Sequence, residues 1–226
     1  MIRLENIWKS FRVDGHTYTV VRGASAVFPD GKSVALLGRN GSGKSTMLKL
    51  IAGTMKPDHG RVVATGTVSW PVGFAGSFHR EMTAAQNVRF IARAYGVDSD
   101  ELIEFTRDFA NLGKYFDLPI RTYSSGMRSR LAFGCSMGIR FDTYLVDEVT
   151  SVGDKDFKDK ARELFYDRMR NSGAVVISHS RRMIRDLCDA GAVLDRGEIV
   201  YYDDVEEAIA HHEWVIANRP RFEATS

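Results

Sequence analysis

Gly38-Arg39-Asn40-Gly41-Ser42-Gly43-Lys44-Ser45-Thr46 is a G-x-x-x-x-G-K-[ST] loop, and it dictates what must stand on either side of it. A backbone that curls its N–H groups inward around an anion needs a firm support at both ends. Ser33-Val34-Ala35-Leu36-Leu37 in front is a short apolar run suited to a buried strand. Met47-Leu48-Lys49-Leu50-Ile51-Ala52 behind opens a helix whose positive N-terminal end faces the loop. Strand, glycine loop and helix in that order commit the chain to an α/β fold with a phosphate-loop NTPase core. Lys44 serves as a point charge for the terminal phosphates of a nucleotide, and Ser45 offers its hydroxyl to Mg²⁺. The loop by itself leaves ATP and GTP equally open.

A chain of 226 residues is long enough for a sizeable core. Its 31 basic and 29 acidic residues leave a charge of +2, too balanced to argue for nucleic acid or an anionic membrane surface as partner. Cys135 and Cys188 stand far apart in apolar, helix-like contexts, which favours packed free thiols and a reducing compartment. The opening Met1-Ile2-Arg3-Leu4-Glu5-Asn6 lacks the apolar core of a secretion signal. No stretch approaches the roughly 20 apolar residues of a membrane helix. Any membrane process is therefore expected to be served from the water side, through another chain.

Short strands are expected at 2–7, 17–22 and 24–28, with Pro29-Asp30-Gly31 turning the chain into the loop strand. Strand character resumes at 60–67. From Thr83 to about Ile139 the period becomes helical. Thr83 is placed to cap a helix carrying Val88, Ile91, Ala92 and Tyr95 on one face. Leu102, Phe105, Thr106 and Phe109 form a second stripe, and Met127, Leu131 and Cys135 a third. Strand signals return at 143–146, 174–177 and 192–194, the first two separated by a helix bearing Phe157, Ala161, Leu164 and Phe165. Arg196-Gly197 reads as a hairpin turn. Asp204, with Glu207 three residues on, reads as the capping box of a short last helix, 204–218. One domain results, with its core at 1–82 and 140–210 and a helical insertion at about 83–139.

Tyr144-Leu145-Val146-Asp147-Glu148 is an apolar strand ending in two carboxylates. The first, Asp147, suits Mg²⁺, and Glu148 is placed to polarise a water for in-line attack on the γ-phosphate. Buried acids need compensating charge, which Mg²⁺ and Lys44 supply. Val176-Ile177-Ser178-His179 ends in the same way, and His179 can donate to the γ-phosphate or to the attacking water. Tyr123-Ser124-Ser125-Gly126-Met127 brings small hydroxyl residues and a glycine to a helix N-terminus, a second phosphate nest. One site needs one loop, so the second nest is surplus unless two copies pair head-to-tail.

The loop at Gly38, the nest at Ser124, Asp147-Glu148 and His179, in that order, resemble the ATP-binding subunit of ABC transporters. The runs at 121–130 and 146–154, and Ser69-Trp70-Pro71-Val72-Gly73-Phe74, are similar to capsular polysaccharide export ATPases, over roughly residues 1–210. The resemblance implies an ABC-type core with an N-terminal antiparallel β subdomain and an inserted α-helical subdomain. It implies ATP with Mg²⁺, held by Gly38 to Thr46 of one copy and by Ser124, Ser125, Gly126 and Met127 of the other. Glu148, His179 and Lys44 would be catalytic, and Ser45 and Asp147 would take the metal. Phe11 occupies the place of the aromatic that stacks on adenine, with Trp8 and Tyr18 nearby, and Asp154 that of an aspartate crossing the dimer interface. The implied partners are a second copy, an integral membrane permease and, through it, a lipid-linked polysaccharide. The implied location is the cytoplasmic face of the inner membrane.

The family's glutamine between loop and insertion is missing. His79 and Ser77 are the polar residues in that stretch, and Gln86 falls where a helix should already have begun. O-antigen and teichoic-acid exporters are the nearest alternatives, and some of the former carry an extra C-terminal carbohydrate domain, which is not expected after the single last helix here. A soluble ABC ATPase would have two cassettes or a coiled-coil insertion. His211-His212-Glu213 lacks the spacing of a helical zinc pair and reads as surface histidine. Arg181, Arg182 and Arg185 read as a solvated helix face, while Arg128 and Arg130 stand beside the nest.

Overall fold

A computed structural model describes residues 1–74, 76, 78–148 and 155–219. These form two compact units. The first contains residues 1–71, 141–148 and the chain from 169 onward. The second contains residues 72–140 and the helix that follows 154, up to Arg168.

The first unit is built on two sheets. Strands β1 (Ile2–Val13), β2 (His16–Phe28) and β4 (His59–Ala64) make an antiparallel sheet in the order β2-β1-β4. Beside it lie β5 (Val68–Pro71), β6 (Thr143–Asp147), β7 (Gly173–Ile177), β3 (Ser33–Leu37), β8 (Ala190–Asp195) and β9 (Glu198–Tyr202), in the order β5-β6-β7-β3-β8-β9. All of these neighbours run parallel except the β8–β9 hairpin. Strands covered on both faces should be apolar throughout, and β3 and β7 are buried at every position. Helix α1 (Lys44–Ile51) follows the loop and buries Met47, Leu48, Leu50 and Ile51 in a core shared with Leu36, Leu145, Val175 and Leu194. Ser180 caps α6 (Arg181–Leu187), and α7 (Val205–Asn218) packs on β3 and β8.

The N-terminal strands are longer than the sequence periodicity implies. Residues 17–22 and 24–28 are one strand, because Gly23, at φ +62°, is a bulge position and not a strand end. The pairing register shifts on the β1 side at Leu4/Ile7, Ile7/Lys9 and Lys9/Ser10. Asp14-Gly15 closes the hairpin with Val13 opposite His16 and both central φ angles positive, as Arg196-Gly197 does for β8–β9.

In the second unit Thr83 caps α2 (Ala84–Tyr95). Its hydroxyl accepts from the Gln86 N–H, and Gln86 Oε1 accepts from the Thr83 N–H, so Gln86 is spent on a capping box. Helix α3 (Ser99–Ala110) starts at Asp98, whose carboxylate accepts from Asp100 and Glu101. Helix α4 (Ser125–Gly138) buries Leu131 to Met137 without a break, not merely a stripe. Gly134 and Gly138 admit Phe109, Leu102 and Phe105 of α3 against its backbone. Helix α5 (Lys155–Arg170) adds Phe157 to Phe109, with ring centroids 5.3 Å apart. In the first unit, α7 is capped by Asp204 as expected, but the capping bond runs to the N–H of Glu206, not Glu207. No helix among the described residues is long and apolar enough to cross a membrane.

Candidate functional site: a phosphate loop with two carboxylates and a histidine

The loop sits where β3 gives way to α1, and its glycines are required by contact as well as by torsion. A side chain at Gly43, φ +100°, would strike Val20 Cγ1 at 2.4 Å. One at Gly38 would meet the Leu194 carbonyl oxygen at 2.5 Å and Ser42 Oγ at 2.6 Å. Gly41 needs φ +83° with open space around it. Lys44 Nζ donates to the carbonyls of Gly38 at 2.8 Å and Arg39 at 3.0 Å, so the ammonium lies over the loop. Burial lowers the Lys44 pKa, against the opposing charges of Glu148 and Asp147. Ser42 Oγ is buried and without a hydrogen-bond partner. Asn40 and Ser45 are exposed, while Arg39 and Thr46 are half-buried.

Asp147 ends β6 opposite Ile177, the end of β7, so parallel pairing places Glu148 beside the residues that follow Ile177. The Glu148 N–H donates to the Ile177 carbonyl at 3.0 Å. His179 Nε2 and Glu148 Oε1 are 2.7 Å apart, the ring donating to the carboxylate. Both side chains are open to solvent. Glu148 has a left-handed backbone, φ +45°, unusual for a residue with a side chain. The structure thus brings together Lys44, Asp147, Glu148 and His179.

Phe11 is half-buried on β1 across from Tyr18, with the Lys9 ammonium 5.8 Å from its ring centre. Trp8 is exposed and donates from Nε1 to Asn6 Oδ1. In the second unit Ser124 caps α4, its hydroxyl accepting from the Met127 N–H at 3.2 Å. Ser124, Gly126 and Met127 line a cleft of about 330 Å³ with Asn111, Tyr115 and Arg130. Arg128 donates to the Tyr123 carbonyl at 2.7 Å, and Arg130 lies over Phe157. Asp154, with the rest of 149–154, lies outside the described residues, and so does Ser77. His79 has its backbone tied on both sides to the buried side chain of Asn87.

Two expectations are corrected. His211 and His212 are not free surface histidines. His211 Nδ1 bonds the Tyr202 hydroxyl at 3.0 Å, and His212 is half-buried with its Nε2 shut off from solvent. Arg181, Arg182 and Arg185 are exposed but not merely solvated. Arg181 pairs with Glu213 at 2.6 Å, Arg182 with Asp186 at 3.6 Å, and Arg185 grips Glu206 with two bonds.

The donor set fits a nucleoside triphosphate with Mg²⁺. A phosphate oxygen would satisfy the orphaned Ser42 environment, and the Ser45 hydroxyl and Asp147 carboxylate are the hard oxygen ligands that Mg²⁺ takes. The profile of the ABC transporter family matches residues 21–151. The polysialic acid transport ATP-binding protein KpsT of Escherichia coli is 47% identical, over 94% of this chain and 96% of that protein. The capsule polysaccharide export ATP-binding protein CtrD of Neisseria meningitidis serogroup B is 37% identical, over 94% and 98%. Relatives named for teichoic acid and O-antigen export are more distant. Among solved structures, a post-hydrolysis dimer of the ATP-binding cassette MJ0796 bound to ADP and Pi has the same fold. It superimposes with a TM-score of 0.70 at 21% identity, over 88% of this chain and 96% of that one. The chain belongs to the ABC transporter family, in its group of capsular polysaccharide export ATP-binding subunits.

Proposed function

We propose that two copies of this chain close head-to-tail on two ATP molecules at the cytoplasmic face of the inner membrane. Hydrolysis in this dimer drives a separate permease that exports a lipid-linked capsular polysaccharide. The contact between His179 and Glu148, just past the ends of adjacent strands that also set Asp147 near Lys44, is the observation that carries this reading. Gly38 to Thr46 bind the phosphates, with Lys44 moving from the loop carbonyls to the terminal phosphates. Glu148 accepts the proton of the attacking water, and His179 holds that carboxylate and senses the γ-phosphate. Bound at Ser45 and Asp147, Mg²⁺ would neutralise charge on the phosphates. Phe11 stacks on adenine. Ser124, Ser125, Gly126 and Met127 of one copy, with Asp154, complete the site of the other.

In a host whose native gene carries Lys44→Ala, the polymer is expected to accumulate inside the cell and to be lost from the surface. Surface polymer at the unmutated level would contradict the proposal.

A further inference from the structure

Strand β4 begins at His59, opposite Trp8, while β1 continues to Val13 beyond the end of that pairing. Asp58, the residue in front of β4, takes over there. Its N–H donates to the Trp8 carbonyl at 2.8 Å. Its Oδ2 accepts from the Ser10 N–H at 2.7 Å, and its Oδ1 accepts from Lys9 Nζ at 2.7 Å. One residue thus ties three consecutive residues of β1, and a carboxylate gives the Ser10 N–H the partner that β4 does not. The Lys9 side chain is only 16% exposed, which shields the pair beyond what a surface salt bridge enjoys. The Lys9 bond, then the Ser10 N–H, hold the Asp58 pKa below the ordinary carboxylate value.

On its other edge β1 meets β2 through a bulge at the same place. The register passes from Lys9 opposite Val21 to Ser10 opposite Thr19, so Val20 is the extra residue. Val20 Cγ1 fills the space beside Gly43 of the phosphate loop. The Ser10 hydroxyl donates to Thr19 Oγ1 at 3.0 Å, and Phe11 stands opposite Tyr18 at the next pair. A bulge bends its strand pair and re-aims the side chains beside it. The bend that seats Val20 on the loop therefore also sets the direction of Phe11, and Asp58 fixes it from the far edge of β1. The same carboxylate holds the Lys9 ammonium, which lies 5.8 Å from the centre of the Phe11 ring.

We propose that Asp58 is a positioning residue for the base of ATP, holding the β1 bulge so that the Phe11 ring is presented for stacking. This rests on the assignment of Phe11 to adenine. The test is titration of the full-length chain with Mg²⁺ and a non-hydrolysable ATP analogue. The chains compared are wild type, Phe11→Ala, Asp58→Ala, Asp58→Asn, and Asp58→Ala combined with Phe11→Ala. Phe11→Ala is expected to bind about tenfold more weakly, the ordinary worth of one stacked base. Asp58→Ala is expected to lose about fivefold, the worth of one hydrogen bond. Asp58→Asn, whose single amide oxygen can serve only one of the two donors, is expected to fall between it and wild type. In the Phe11→Ala chain Asp58→Ala is expected to add nothing, because the ring it orients is gone. Wild-type affinity in Asp58→Ala, or the same loss with and without Phe11, would overturn this inference and leave the stacking role intact. Wild-type affinity in Phe11→Ala would remove both. Should Asp58→Ala fail to fold, Asp58→Asn decides, wild-type affinity there counting against the inference.

Discussion

Glu148 pairs its functional position with an uncommon backbone. A left-handed φ on a residue with a Cβ costs roughly 1 kcal/mol, and the bond from its N–H to Ile177 holds it there. The carboxylate is thereby turned to His179, not left pointing along the strand. Glu148→Gln keeps the backbone and the hydrogen bond but removes the base. ATP hydrolysis is expected to fall at least ~100-fold, about 3 kcal/mol of transition-state stabilisation, with ATP still bound. Hydrolysis within a few-fold of wild type in a phosphate-release assay would assign the base elsewhere. The residue types at this site were legible from sequence because the polyphosphate chemistry admits few alternatives. The torsion of Glu148 was not, since no local pattern encodes a strand end bent by its neighbour. Nor was the burial of His212 Nε2, which depends on α7 packing back on β3 and β8.

Helices and strands were legible where a local rule sets them. Thr83 and Gln86 form a reciprocal cap, and Thr83→Ala is expected to cost about 1 kcal/mol in a denaturant titration. An unchanged midpoint would mean the cap contributes nothing. Local pattern makes the β1–β2 strands too short because Gly23 resembles a strand end until its long-range pairing is known. Helix α7 carries a signal of a different kind from zinc spacing. Val205, Ala208, Ile209 and Val215 are its buried stripe, and His212 falls in step with them. A histidine with a depressed folded pKa stabilises the fold above its unfolded pKa, near 6.5, and that contribution is lost as pH falls through the folded value. His212→Asn should therefore flatten the loss of stability below about pH 6.5. A stability profile with the same acid limb as wild type would show that His212 does not titrate as its surroundings require.

At the scale of the whole molecule, burial pushes the Cys135 and Cys188 thiols up to about 12. The folded chain keeps both protons through a pH range in which the unfolded chain loses them. Stability should therefore decline from about pH 9 upward, and both thiols should resist alkylation until the chain unfolds. Rapid alkylation of the native chain at pH 8 would contradict their burial. The existence of an α/β core with a helical insertion followed from the order of motifs. The exchange of a nest between two copies is an inference from there being two phosphate-binding features on one chain. Ser125→Arg places a bulky cation in that nest and is expected to abolish turnover while ATP binding by the isolated chain persists. Equal loss of binding would put the nest to work within its own chain. The head-to-tail clamp is tested most directly by light scattering of Glu148→Gln with ATP and Mg²⁺. A mass of two chains that reverts to one when nucleotide is removed is the predicted result, and a single-chain mass at saturating ATP would contradict it.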